Sequence, residues 1–262
     1  MKKTLPLLLA LMVSATATFA QDAGYQKFRM GFKASPNISW FQPKDKHFVA
    51  EGANLRFGYG FIADIFFSQN YAFGTGVNIY RNGGSISYLE LDKIGASDYI
   101  YRRYQTYSNQ YVEVPITFKL RTNEIGYVTY WAQFGFGAGV NIGARGDDER
   151  NYLFQQDLVN DEMVWVASDR ATTSDDNSDL SQNVALFRAS MIIAAGIEYN
   201  LSGTTSILVG LTYNNGFTNS FARKDVLKTE KDGPIFDTNN RPETVRLNAV
   251  ANAIELNVGI LF

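Results

Sequence analysis

The feature that most constrains the fold is a strict two-residue alternation over residues 128–145. This period is typical of a β-strand, whose side chains point alternately to opposite faces. Strands of soluble domains average about 5–6 residues, whereas a membrane-crossing strand needs about 9–11. The second face is small and polar apart from Trp131. The first face is wholly apolar and consists of Val128, Tyr130, Ala132, Phe134, Phe136, Ala138, Val140 and Ile142.

Seven further segments repeat this pattern and give about eight strands, the even number that single-chain bacterial barrels require. They are residues 28–40, 55–67, 71–81, 112–120, 185–201, 206–214 and 253–262. Short connections at 68–70, 121–126 and 202–203 alternate with long polar ones at 41–54, 82–111, 146–184 and 216–249. This rhythm predicts short periplasmic turns and long outer loops.

Together these patterns predict an all-β protein, a transmembrane antiparallel β-barrel of about eight strands. Lipid cannot hydrogen-bond a free strand edge, so the sheet has to close on itself. The alternative is a soluble β-sandwich or lipocalin-like barrel, which lacks the long and short rhythm as a rule. Aromatic residues near strand ends are candidates for the interfacial girdles. They are Trp40, Tyr71, Tyr127, Tyr130, Tyr199 and Phe262.

The N-terminus predicts export. Lys2 and Lys3 precede an apolar core and a small-residue cleavage site, so residues 1–20 are predicted to be a signal peptide and residues 21–262 an outer-membrane barrel domain. The alternative is a retained membrane anchor, for which the apolar core is too short. The absence of cysteine excludes disulfides and thiolate metal sites. A net charge of −2 gives no indication of nucleic-acid binding.

Three parts of the chain resemble a known family. They are FRMGFKASPNIS at 28–39, QYVEVPITFKL at 110–120, and GIEYNL at 196–201 with LTYNNGFTN at 211–219. The most specific match is Tyr111-Val112-Glu113-Val114-Pro115, and FAQ at 19–21 and the final Phe262 fit as well. The mature chain thus resembles the PorT-type outer-membrane β-barrel domain. The resemblance implies an eight-stranded outer-membrane barrel. It also raises a role in protein export, since the name-giving member belongs to the type IX secretion machinery, although many similar proteins have no assigned role.

Charged residues on the presumed inner face form the candidate site, a lumen charge network. Burying a charge alone costs several kcal/mol, so these groups are expected to pair inside the barrel, with Glu113 pairing with a lumen arginine or lysine. The alternative is a selective polar path or a small-molecule site. The ten residues are Arg29, Lys33, Arg56, Asp64, Glu113, Lys119, Arg145, Arg188, Glu198 and Glu255.

The sequence contains only weak or incomplete matches to catalytic and metal-binding motifs. The single histidine, His47, is expected in a solvated outer loop, and no G-x-S-x-G elbow occurs. Aspartates 147–148 and 175–176 leave a paired-aspartate protease open. Residues 175–179 imitate the start of a calcium loop, but Leu180 and Leu186 replace its glycine and closing glutamate. The long acidic loop at 146–184, which contains these residues, is expected to be mobile. Gly135, Gly137 and Gly139 are expected to make room for Trp131 or other bulky inward side chains and to ease the curvature of the strand.

The sequence therefore predicts a bacterial outer-membrane barrel that is not an enzyme. Its predicted role is that of an envelope scaffold or interaction protein, with an accessory role in type IX secretion raised by the resemblance. The alternative is a narrow channel or transporter for small solutes, and a third class is an outer-membrane hydrolase. Outer-membrane lipid and lipopolysaccharide are the expected partners, with other envelope or secretion proteins as candidates. No nucleic acid, cofactor or metal is expected.

Overall fold

The computed structural model describes residues 26–262 except 96, 160–161, 223, 231–232 and 239. The predicted signal peptide lies outside the described residues. No helix in the described part of the chain is long and apolar enough to cross a membrane. The strands are β1 Phe28–Pro43, β2 Phe48–Ser68, β3 Tyr71–Ile94, β4 Ser97–Arg121, β5 Val128–Val159, β6 Glu162–Ala167, β7 Thr173–Asp179, β8 Phe187–Ser202, β9 Thr205–Gly216, β10 Asp225–Leu227, β11 Thr229–Glu230, β12 Gly233–Pro234, β13 Thr244–Arg246 and β14 Ala249–Leu261. A short 3₁₀ helix spans Ser181–Asn183.

Eight of these strands form a closed antiparallel ring, as the alternation predicted. The order around the barrel is β1, β2, β3, β4, β5, β8, β9 and β14. The last strand returns to the first, with Phe32 opposite Ile260 and Ile38 opposite Ile254. Every wall strand therefore has a hydrogen-bonded neighbour on each side, which is the condition for placing a sheet in hydrocarbon.

The outer wall of the ring is apolar. Large side chains that a soluble protein would bury stand outward on all eight strands, among them Phe57 at 54 %, Ile116 at 66 % and Phe136 at 65 % exposure. A continuous apolar belt of this kind is unfavourable in water and is the lipid-facing surface of a membrane barrel. At the end with the short turns, Tyr71 and Tyr199 are also exposed, in the position of an interfacial girdle.

Four wall strands are much longer than predicted, and one of them is β2 with 21 residues. β3, β4 and β5 contain 24, 25 and 32 residues and continue past the apolar belt on the long-loop side. The predicted loops at 41–54, 82–111 and 146–184 were therefore wrong in large part, because they form the paired ends of these strands and of β1, together with β6 and β7. Beyond the hydrocarbon the outer face becomes polar, so the apolar alternation that identified the strands disappears although the ladder continues.

A hydrophobic core closes the ring at the long-loop end. Phe41 of β1, Tyr107 of β4 and Phe221 of the last outer loop are each at most 2 % exposed. Their ring centroids lie 5.0–5.7 Å apart, with Tyr107 edge-on to both phenylalanines. Leu180, Val184 and Leu247 from the outer segments belong to the same core. We call this cluster the outer plug, because it covers the mouth of the lumen.

Candidate functional site

The first group of inward charges lies near the short-turn end of the lumen. Strand alternation brings Arg29, Asp64, Lys119 and Glu198 inward from four different strands. Lys119 Nζ donates to Asp64 Oδ2 at 2.6 Å and to Glu198 Oε1 at 2.7 Å, and Arg29 Nη1 donates to Glu198 Oε2 at 2.6 Å. All four side chains are at most 5 % exposed. Two cations and two carboxylates thus neutralise one another where an isolated charge would be costly.

A second group lies closer to the outer plug and is centred on Glu113. Its Oε2 atom accepts hydrogen bonds from the Tyr80 hydroxyl at 2.8 Å, from Arg188 Nη1 at 3.2 Å and from the Ser190 hydroxyl at 3.2 Å. The other Arg188 nitrogen, Nη2, donates to Asn214 Oδ1 at 2.8 Å. These partners come from β3, β4, β8 and β9, so the cluster connects the strands on the two sides of β5.

Trp131 and a small cavity occupy the space between the two charge clusters. The indole lies against β8 and β9, where a Cβ added at Gly196 or Gly210 would come within 2.8 or 2.5 Å of Trp131 Cζ2. Trp131 is not among the nearest neighbours of Gly135, Gly137 or Gly139, but Gly137 makes room for another inward side chain, in agreement with the wider expectation. A Cβ at Gly137 would instead meet the Glu113 carboxyl at 2.6 Å. Gly196 and Gly210 therefore leave space for Trp131, and Gly137 leaves space for Glu113.

The cavity itself has a volume of about 50 Å³. It is lined in part by Lys33, Glu255 and Asn257, and Lys33 Nζ donates to Asn257 Oδ1 at 3.1 Å. A polar space of this size holds only a few water molecules. The lumen is therefore a packed interior and has no room for a metabolite at this level.

Two of the ten predicted inner residues lie elsewhere. Arg145 follows a bulge in β5, where Tyr111 pairs with Asn141 but Gln110 pairs with Gly143. The extra residue, Ile142, shifts the alternation by one, so Arg145 is exposed and lies outside the lumen. Arg56 lies in a second irregularity, where β2 contains one residue more than β3 between their flanking pairs. Both arginines line a pocket on the outer wall.

The structure also contains an outer polar cluster that the sequence did not predict. Arg103 makes a two-pronged contact with Asp148, from Nε to Oδ1 at 2.6 Å and from Nη2 to Oδ2 at 2.7 Å, and Nη1 donates to Glu90 at 2.8 Å. Lys224 lies 3.1 Å from Glu90. Burial alone would raise the pKa of Asp148, but hydrogen bonds from Arg103 and Arg150 outweigh it and lower that pKa. Burial lowers the pKa of Lys224.

The residues considered for catalysis lie apart and have structural partners. His47 is only 10 % exposed, and its Nδ1 atom lies 3.0 Å from the Thr229 backbone nitrogen, so it packs between two outer segments instead of standing in solvent. Asp147 is exposed whereas Asp148 is 3 % exposed and faces Arg103, which places this acidic pair on opposite faces of β5. The Asp148 carboxylate is therefore an ion-pair acceptor.

The segment at 175–179, which resembles the start of a calcium-binding loop, is part of a strand. Residues 175–179 lie in β7, which pairs with β5, so this part of the predicted acidic loop is a paired strand. Within the described ranges, no group of three or more histidine, aspartate or glutamate side chains is arranged to hold a metal ion.

Comparison with known proteins agrees with the observed architecture. A family model described as "Outer membrane protein beta-barrel domain" matches residues 19–222. No curated protein matches the chain.

Three solved structures illustrate the range of similar barrels. Neisserial surface protein A aligns with 91 % of this chain and 98 % of its own at 10 % identity and a TM-score of 0.41. Ail of Yersinia pestis aligns with 90 % of this chain and 100 % of its own at 10 % identity and a TM-score of 0.32. The outer membrane protease OmpT of Escherichia coli aligns with 94 % and 99 % at 9 % identity and a TM-score of 0.34.

Proposed function

Because this chain belongs to the outer membrane protein β-barrel domain family, we propose that it acts as an envelope scaffold and interaction protein. In this role the barrel is an anchor, and the extended strands and outer segments are the surface that meets other envelope components. The observation that carries the proposal is the outer plug, in which Phe41, Tyr107 and Phe221 cover the mouth of an already packed lumen.

The outer part of the chain supports this role because it is built as a folded unit. Leu89, Ile100 and Leu227 form a second buried core beyond the plug, against which Phe154 and Trp165 pack. The Arg103, Asp148 and Glu90 contacts add a rigid polar frame between the cores. An ordered surface loses little conformational entropy on binding, which favours a protein partner.

An accessory role in type IX secretion is the finer form of this proposal. Its support is the resemblance of the segments at 28–39, 110–120, 196–201 and 211–219 to the PorT-type domain. Within the most specific of these motifs, Glu113 is engaged in the lumen cluster. The motif therefore serves the barrel interior, and the export machinery would be met by the outer or periplasmic surface.

Site-specific photo-crosslinking tests the proposal. A photoreactive residue at Leu91, on the outer extension of β3, is compared with one at Ile260 in the lipid-facing belt, since the two positions are similarly exposed at 40 % and 42 %. We expect a discrete protein adduct from Leu91 and only lipid adducts from Ile260. Mass spectrometry of the adduct then shows whether the partner belongs to an export machinery.

Conductance of the purified protein in planar bilayers tests the competing channel function. We expect no steady unit steps, because the plug and the charge clusters fill the lumen. Regular single-channel steps, together with no protein adduct from Leu91, would contradict the scaffold proposal and favour the channel alternative.

A further inference from the structure

Three arginines surround one pocket on the outer wall of the barrel, at the upper edge of the apolar belt. The pocket has a volume of about 600 Å³, and Arg56, Arg81 and Arg145 line it together with Ile142 of the belt. Arg81 and Arg145 are exposed, and Arg56 is partly buried. Thr106, Ser108 and Gln110 add hydrogen-bonding side chains to the same wall. This is a basic, polar recess in direct continuity with a lipid-facing surface.

The guanidinium groups in this pocket have no acidic partner in contact. Among the described residues, no carboxylate oxygen lies within 4.0 Å of Arg56, Arg81 or Arg145, in contrast with the paired lumen cations. Arg56 donates only to backbone carbonyls, those of Leu55 at 3.3 Å and Tyr107 at 3.2 Å, and its buried Nε has no hydrogen-bond acceptor. Arginine donors held in this way are available for an anion.

Two aspartates also line the pocket, but both already accept hydrogen bonds. Asp147 Oδ1 accepts from the Asn177 backbone N–H at 2.9 Å, and Asp179 Oδ1 accepts from that of Ser181 at 3.0 Å. With three arginines and two aspartates, the pocket remains net basic. Its charge is complementary to an anionic headgroup and unsuited to a free cation.

A second groove continues from this pocket down the wall. It has a volume of about 320 Å³ and is lined by Phe57, Tyr59 and Ile79 of the belt, and it shares Arg81 and Gln110 with the basic pocket. Phe57 and Tyr59 are each 54 % exposed toward the membrane. An apolar groove below a cluster of arginines matches an amphiphile whose acyl chain lies along the wall and whose phosphate lies above it.

We propose that this composite pocket binds a phosphorylated acyl glycolipid of the outer leaflet, of the lipid A class. The arginines contact the phosphate, since guanidinium groups bind phosphate oxygens through paired hydrogen bonds. The groove holds an acyl chain beside Phe57 and Tyr59. The site lies on the long-loop side of the belt, which is the side of the outer leaflet in barrels with this loop plan.

The test uses the full-length barrel reconstituted in phosphatidylcholine nanodiscs that contain a small fraction of lipid A. Native mass spectrometry counts the lipid A molecules retained per protein. The Arg81→Gln/Arg145→Gln variant is compared with the wild type, and Arg170→Gln, an exposed outer arginine remote from the pocket, is the matched control. We expect the double variant to retain lipid A about tenfold less, which corresponds to about 1.4 kcal/mol, because two of the three guanidinium groups that contact the phosphate are lost.

Two further binding measurements distinguish recognition of the phosphate from binding of the acyl chain. Dephosphorylated lipid A should be retained no better than phosphatidylcholine, and millimolar inorganic phosphate should not displace intact lipid A. Retention by the double variant equal to that of the wild type would overturn the proposal. Displacement by inorganic phosphate would overturn it as well, because it would show an anion site without the lipid groove. A folded double variant is recognised by its unchanged heat-modifiable migration on gels.

Discussion

The Arg188 guanidinium of β8 donates a hydrogen bond of 3.2 Å to the Glu113 carboxylate of β4 over the inner face of β5, where Gly139 pairs with both residues. Both side chains are at most 4 % exposed. Because the two strands are separated by β5 in the wall, this contact joins parts of the ring that the sheet ladder does not pair directly. The stability of the barrel should therefore depend on it strongly.

Glu113→Ala should lower the free energy of unfolding by about 3–5 kcal/mol, since it leaves the buried Arg188 charge without its carboxylate. Thermal or urea unfolding of the detergent-solubilised barrel measures this change. Glu113→Gln, which keeps the size and one acceptor oxygen, should be less damaging. Glu149→Ala, at an exposed acid of the same sheet, is the matched control. If Glu113→Ala and Glu149→Ala had the same unfolding midpoint, the contact between Arg188 and Glu113 would not contribute to stability.

Lys119 should be as important in the cluster at the short-turn end. Lys119→Met removes the cation shared by Asp64 and Glu198 and leaves two buried carboxylates with less compensation, so we expect a loss of several kcal/mol. Adding Asp64→Asn should recover part of that loss, since it removes one uncompensated charge. A double variant that is destabilised by the simple sum of the single changes would argue against the shared cation.

The fit between Trp131 and Gly210 gives a test of lumen packing. Gly210→Ala places a methyl group 2.5 Å from the indole, and overpacking of this kind typically costs about 1–3 kcal/mol. In a Trp131→Ala background the added methyl should cost less, so the two changes should be coupled. Gly143→Ala, where the added methyl group would meet no atom within 4 Å, is the control. Equal costs of Gly210→Ala in both backgrounds would refute the proposed contact.

Acid should loosen the outer polar cluster before it affects the membrane part. The pKa of Asp148 is lowered in the folded state, so its contribution to stability is complete above the unfolded-state pKa of about 3.9. It is lost as the pH falls through the lower folded-state value. Near-UV circular dichroism should therefore show a larger drop in the melting temperature from pH 6 to pH 3 for the wild type than for Asp148→Asn. Asp147→Asn, at the exposed neighbour, should behave like the wild type.

The barrel wall could be predicted from the sequence because lipid enforces a local rule. Each wall strand has to be apolar at every second position, and a period of two is visible without knowledge of the partners. Residues such as Phe134 and Ile260 were therefore assigned to the lipid face correctly. Beyond the hydrocarbon this rule no longer applies, so the sequence predicts loops where the structure has the outer ends of β2, β3, β4 and β5.

The placement of individual charges could be predicted only in part. Alternation was sufficient for Lys119 and Glu113, which lie in unbroken stretches of β4. It failed for Arg145, because the bulge at Ile142 depends on the pairing of β5 with β4 and leaves no mark in a single strand. The outer polar cluster was missed for a similar reason, since Arg103, Asp148 and Lys224 are brought together only by long-range pairing.

The alternation of lipid and lumen faces is the central claim, and nitroxide accessibility tests it most directly. The natural chain has no cysteine, so single cysteines at Leu256, Asn257 and Val258 of β14 can each carry a spin label in reconstituted bilayers. We predict high collision rates with molecular oxygen at 256 and 258, whose side chains are 42 % and 44 % exposed, and a low rate at 257, which is 2 % exposed. Equal oxygen accessibility at all three positions, or high accessibility to a water-soluble nickel reagent at 256 and 258, would contradict the barrel as described.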